Sequence, residues 1–110
     1  MGILTRKEEI IMIAIWKLGG DAYGVSIRDK VIELSAQNIV YGTLYNSLEY
    51  LIRKGYVTSR KGDPTPERGG KSKTIYTITR NGEAALQATK ALNDQLWQGM
   101  PGFNLGNPAK

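Results

Sequence analysis

Cysteine and histidine are both missing from this chain of 110 residues. Without cysteine there is no disulfide framework, no thiolate nucleophile and no thiolate metal ligand, a composition that suits a reducing compartment. Without histidine the commonest general base and the commonest metal ligand are gone as well. There is no nucleotide-binding loop, and the carboxylates form no paired, inward-facing set that would tune a pKa. An enzyme is therefore not expected, and neither is a metal or a cofactor. Long apolar runs are also lacking: the stretch Ile10 to Ile15 falls far short of the roughly 20 residues that a membrane span needs, and no signal-peptide pattern precedes it. Met1-Gly2 resembles an acylation start, but position 6 is arginine where that pattern requires serine or threonine. These absences lead to the expectation of a soluble, cytoplasmic protein without a membrane partner.

What the chain does have is positive charge concentrated in one segment. Residues 1–40 carry five bases and five acids, and residues 81–110 carry two of each. Between Tyr41 and Arg80 stand eight bases, Arg53, Lys54, Arg60, Lys61, Arg68, Lys71, Lys73 and Arg80, against Glu49, Asp63 and Glu67, which accounts for the whole net charge of +5. Charge sorted in this way points to a polyanionic partner.

The apolar pattern gives four helices and a hairpin. Thr5 and Glu8 form an S/T-x-x-E capping box that starts a first helix, apolar on nearly every side through Ile10 to Leu18 and stopped by Gly19-Gly20. A second helix over Tyr23 to Leu34 turns Ile27, Val31 and Leu34 inward. The third helix has the strongest pattern: Tyr41, Leu44, Tyr45, Leu48, Leu51 and Ile52 make one apolar stripe, ending at Gly55. Its opposite face centres on Thr43, Asn46 and Tyr50, flanked by Gly42, Ser47, Arg53 and Lys54. Val57 to Lys61 and Thr74 to Ile78 read as strands around a long turn-rich loop with a basic tip. Thr79 caps a last helix from about Asn81 to Trp97, with Ala85, Thr89, Leu92 and Leu96 in a narrow seam suited to another helix. Residues 99–110 have no periodicity and are expected to be disordered.

Three helices, two strands and a further helix are the order of a mainly α winged helix-turn-helix with an added C-terminal helix, in which the third helix enters the major groove and the hairpin touches flanking backbone. Residues 1–80 form the winged domain on this reading and 81–98 the dimerisation helix. Thr43 and Asn46 are then candidates for base contact, since asparagine pairs bidentately with adenine and a threonine methyl meets thymine. Arg68, Lys71 and Lys73 are candidates for phosphate contact, with Arg53, Lys54, Arg60 and Lys61 behind them. Tyr45 reads first as a buried ring whose hydroxyl reaches a phosphate, and Tyr50 as an exposed one. Thr43 and Asn46 as plain solvated positions, and the wing bases as a solubilising loop, are the bland alternatives. A winged-helix module for RNA or for a protein partner is the rival function.

These residues resemble the PadR family of bacterial transcriptional regulators over about Leu4 to Trp97. The carrying motifs are Tyr23-Gly24 followed by Ile27, Gly42-Thr43-Leu44-Tyr45 with Leu48 and Leu51, Gly55-Tyr56-Val57, and Glu67-Arg68-Gly69-Gly70-Lys71 leading to Tyr76, Thr79 and Gly82. The resemblance implies a homodimer that binds double-stranded DNA, usually a repressor, whose last helix pairs with its twin and whose affinity is relieved by a small molecule. Val40 stands where the family often has a capping serine, and Lys71-Ser72-Lys73 where it often has Arg-Arg-Lys. Ile11 and Ile15 of the first helix and Ala85, Thr89, Leu92 and Leu96 of the last are the expected dimer interface. Trp16 and Trp97 are core or interface aromatics by the general preference of tryptophan; the resemblance adds a planar aromatic ligand between subunits as a second role.

Overall fold

The structure, a computed structural model, describes residues 2–64 and 72–103. In chain order these are α1 (Arg6–Leu18), a 3-10 turn (Gly19–Asp21), α2 (Gly24–Ser35), α3 (Tyr41–Arg53), β1 (Val57–Pro64), β2 (Ser72–Ile78) and α4 (Arg80–Trp97). The expected helices and strands are all present, within a few residues at each end. The expected tip bases Arg68 and Lys71 and the end of the tail lie outside the described residues. None of the described helices is long and apolar enough to cross a membrane.

The capping box of α1 forms as its chemistry requires: the Glu8 amide donates to Thr5 Oγ1 at 3.2 Å, and the Thr5 amide donates to Glu8 Oε1 at 2.9 Å. From there α1 runs through the centre of the fold, packing against α2, α3, α4 and β2. Ile11, Met12, Ala14 and Ile15 are buried along it. They meet Ile27 and Val31 of α2, Leu44, Leu48 and Leu51 of α3, and Val57 and Tyr76 of the hairpin in one apolar core. Leu34 departs from the expected inward face and is 41% exposed. It belongs to the last turn of α2, which ends at Ala36 in the left-handed region (φ 57°), a conformation that costs a non-glycine residue roughly 1–2 kcal/mol.

Helix α3 closes with the backbone pattern that a left-handed glycine permits. Gly55 has φ 81°, its amide donates to the Ile52 carbonyl, and the Tyr56 amide donates to the Leu51 carbonyl at 3.0 Å. That reversal starts β1, which pairs antiparallel with β2 from Val57 opposite Ile78 to Lys61 opposite Thr74, with a register shift before Pro64. The Tyr76 amide donates to the Ala22 carbonyl at 2.8 Å, tying the hairpin to the turn before α2. At the other end Thr79 caps α4 through the Gly82 amide (3.0 Å) and donates to the Gly55 carbonyl (2.6 Å). Gly82 lies so close to the Tyr56 carbonyl that a Cβ there would strike backbone.

The seam of α4 does not face outward as a whole. Ala85 and Thr89 are each 3% exposed, covered by the chain's own N-terminal segment and α1. Thr89 Oγ1 accepts from the Leu4 amide at 3.0 Å and donates to the Ala85 carbonyl at 2.8 Å. Ile11 and Ile15, expected at a dimer interface, are likewise core residues at 0% and 2% exposure and have no surface to offer a partner. Apolar surface is open elsewhere, at Ile3, Trp16, Leu92, Leu96, Trp97, Met100 and Phe103.

Thr89→Val keeps the shape of the side chain but leaves the buried Leu4 amide without an acceptor. It should cost about 1–3 kcal/mol, read as a lower urea midpoint at unchanged slope. Thr89→Ser, which retains both hydrogen bonds, should lose less.

Candidate nucleic-acid interface

Helix α3 is held by three contacts from α2. The Arg28 guanidinium donates through Nε to the Ile39 carbonyl at 2.6 Å, fixing the segment that leads into α3. The same guanidinium lies 5.0 Å from the centroid of the Tyr41 ring, and Tyr41 stacks on Tyr45 with centroids 6.1 Å apart and planes at 21°. The Tyr45 hydroxyl in turn sits over Gly24, where even a methyl group would collide with it. This fit ties together one residue of each motif, Gly24 of Tyr23-Gly24 and Tyr45 of Gly42-Thr43-Leu44-Tyr45. Val40, the residue before α3, makes no side-chain cap, and no such bond from Asn38 replaces it among the described residues. The anchor at this end of the helix is the Arg28 bond one residue earlier.

Two expectations for α3 need correction. Tyr41 and Tyr45, expected on the apolar stripe, are 40% and 43% exposed, because their partners are each other and Arg28 instead of the core. Ser47, expected on the polar face, is buried. Leu44, Leu48 and Leu51 face the core as expected. The open face is therefore rotated relative to the expected one and runs along Gly42, Asn46, Glu49 and Arg53, all exposed. Thr43, half-buried, and Tyr50 lie on the flank toward α1; Tyr45 lies on the flank toward the wing.

Glu49 and Arg53 are the residues that periodicity alone undervalues: a carboxylate accepts from cytosine N4 and an arginine donates a fork to guanine. A correct placement of the two tyrosines is the signal that reveals them. On the α1 flank, Lys7, Glu8, Thr43, Asn46, Ser47 and Tyr50 line a shallow depression of about 370 Å³. On the wing flank, Tyr23, Gly24, Val25 and Tyr45 face Ser72, Lys73, Thr74 and Tyr76 across a smaller cleft of about 190 Å³. Lys73 Nζ lies 4.0 Å from the centroid of the Tyr23 ring, and Lys54 Nζ lies 5.9 Å from that of Tyr50. Burial, with the neighbouring Tyr45 and Glu49, pushes the Tyr76 phenol above its usual range. Arg53, Lys54, Arg60 and Lys61 are exposed around α3 and β1.

Trp16 and Trp97 are 61% and 65% exposed, which removes the core reading for both. Trp16 lines a groove of about 510 Å³ between α1 and α4 with Ile13, Leu86, Gln87 and Lys90. Trp97 borders a separate depression with Ala91, Asp94, Gln95 and Gln98. Within one chain the two rings are not brought together.

A three-helix domain with α3 seated on α2, followed by a two-stranded antiparallel hairpin, is a winged helix-turn-helix. The model of the transcriptional regulator PadR-like family matches residues 12–88, and the chain belongs to that family. Among solved structures it is similar to a PadR-like transcription factor from Bacteroides fragilis, 26% identical over 82% of each chain with a TM-score of 0.67. A transcriptional regulator from Clostridium thermocellum is 22% identical over 86% of this chain and 92% of that one, with a TM-score of 0.65. A PadR family regulator from Eggerthella lenta is 23% identical over 86% and 80%, with a TM-score of 0.66. No curated protein matches the chain.

Arg28→Met removes a charged hydrogen bond to the carbonyl of buried Ile39 and the cation over Tyr41, and should destabilise the chain by about 1.5–3 kcal/mol in denaturant titration. Arg28→Lys should not restore it, because an ammonium lacks the planar fork that serves carbonyl and ring at once.

Proposed function

We propose that this protein is a two-fold homodimer that binds operator DNA in a sequence-specific manner in the cytoplasm, represses transcription there, and releases the operator when a planar aromatic compound binds. The observation that carries the reading is the open face of α3, where Gly42, Asn46, Glu49 and Arg53 stand exposed on a helix whose other side is locked into the core. An exposed, rigidly seated helix with small, hydrogen-bonding and charged groups is what a major groove accepts. The wing beside it carries the basic residues that supply phosphate affinity. Membership in a family of transcriptional regulators supports the same assignment. Second-copy contact falls to the apolar surface that one chain leaves open, Leu92, Leu96 and Trp97 on α4, with Ile3 ahead of α1 and Trp16 on it. On this reading the ligand sits in the groove beside Trp16, where Ile13 and Leu86 are joined by Glu9, Glu83, Gln87 and Lys90.

Asn46→Ala should cost roughly 1–3 kcal/mol on an operator selected from a random pool, and much less on random duplex. Equal losses on both would make Asn46 a backbone contact. Replacing Arg68, Lys71 and Lys73 together by alanine should weaken specific and random duplex alike and flatten log K against log salt by about 0.9 for each phosphate that is no longer neutralised. A protein-binding module would tolerate that triple change.

A further inference from the structure

We propose that Lys7 at the start of α1 contacts a DNA phosphate on the flank of α3 opposite the wing, so that the recognition helix is held between two basic arms. The inference rests on the DNA-binding reading above and adds to it a residue outside the basic segment. In sequence, Lys7 belongs to a stretch whose charges cancel. In space it stands beside Thr43 in two adjoining depressions, one shared with Asn46, Ser47 and Tyr50 and the other with Asn38, Ile39 and Val40. The wing approaches from the far side of the same helix, where Tyr45 meets Ser72 and Lys73. At about 100° per residue, Thr43 and Tyr45 lie on opposite sides of α3. A helix about 10–12 Å across fills a major groove about 12 Å wide, and each flank then runs along one phosphate backbone. The wing serves one backbone; Lys7 stands beside the other, on the flank where Lys54 lies over Tyr50 and Arg6 is held by Glu9.

The local chemistry of Lys7 supports this role. It occupies the first turn of a helix, where the dipole favours anions and a cation is unfavourable. Arg6, its neighbour, is compensated by Glu9 at 3.0 Å. Glu8 has its carboxylate turned back onto the Thr5 amide, as the capping box requires. Lys7 itself is exposed and has no carboxylate within ion-pairing distance among the described residues. A first-turn cation with no ion pair or side-chain hydrogen bond among the described residues is available to an external anion.

The test measures binding of the full chain to a random-sequence duplex by fluorescence anisotropy between about 50 and 200 mM salt, for the wild type, Lys7→Ala, Lys7→Arg and the wing triple variant. Lys7→Ala should reduce the salt slope by about 0.9 for each Lys7 that meets a phosphate, hence by about 1.8 in a two-fold dimer, and this reduction should add to that of the wing. Lys7→Arg should keep the wild-type slope. The thermal midpoint of Lys7→Ala should equal or exceed that of the wild type, because an unfavourable charge has been removed. A wild type that binds duplex with a slope unchanged in Lys7→Ala would overturn this inference alone. So would a fall in thermal midpoint that tracks the affinity loss, since that makes Lys7 structural. A wild type that binds no duplex at all would overturn the inference together with the DNA-binding reading.

Discussion

The hydrogen bond from Arg28 to the Ile39 carbonyl sets where α3 begins, and most of what the molecule offers to a partner depends on that placement. The guanidinium reaches across from α2 to the extended segment before α3, at a point where Val40 supplies no cap of its own. Its second contact, over Tyr41, continues through the Tyr41–Tyr45 stack to Gly24 at the head of α2. The two helices are thus joined by two different means, a charged hydrogen bond and a steric fit. Rotation of α3 about its axis would have to break the first and violate the second, which is how an exposed face of a short helix acquires a fixed direction.

A second set of contacts couples α4 to this unit. Thr79 bonds both to the first turn of α4 and to the Gly55 carbonyl at the end of α3, while Gly82 packs against Tyr56 too closely for any other residue. At its middle, α4 is tied to the N-terminal segment through Thr89 and Leu4, and Asn93 reaches Glu9 of α1 at 3.4 Å. The first half of α4 is therefore packed onto the winged unit, and only its outer half, from Leu92 to Trp97, is left with large exposed apolar side chains. The first half of α4 is thus what joins the exposed outer half to the end of α3 and to α1.

The elements themselves are legible in the sequence because each is specified locally. The Thr5–Glu8 box, Gly55 in the left-handed region, the Thr79 cap and the Leu44, Leu48, Leu51 repeat all act within a few residues. What is not legible is which neighbour covers which side. A 3.6-residue period identifies an apolar direction but not the width of the core behind it, so periodicity alone puts Tyr41 and Tyr45 inside and Ser47 outside. The tyrosines are drawn out by Arg28 and Gly24, residues that approach from another helix. Likewise nothing local distinguishes Thr89, which bonds a residue 85 positions away, from Leu92 one turn on, which stays exposed. The left-handed Ala36 is equally invisible, because glycine or asparagine is the usual signal for that conformation.

Charge shows the same difference between a sum along the chain and a field in space. The first 40 residues cancel in number, yet three of their five acids are committed: Glu9 to Arg6, Glu33 to Lys30, and Glu8 to a backbone amide. A segment that is neutral in total can therefore hold an uncompensated cation at a particular surface, and folding decides which surface that is. Here it is the α1 side of α3, opposite the flank that faces Ser72 and Lys73. Within about a Debye length, roughly 8–10 Å at physiological salt, local pairing governs what an approaching polyanion meets more than net charge does. The hairpin, the open face of α3 and the start of α1 come from separate parts of the sequence, and only the first two lie in the segment whose charge declares itself in the composition.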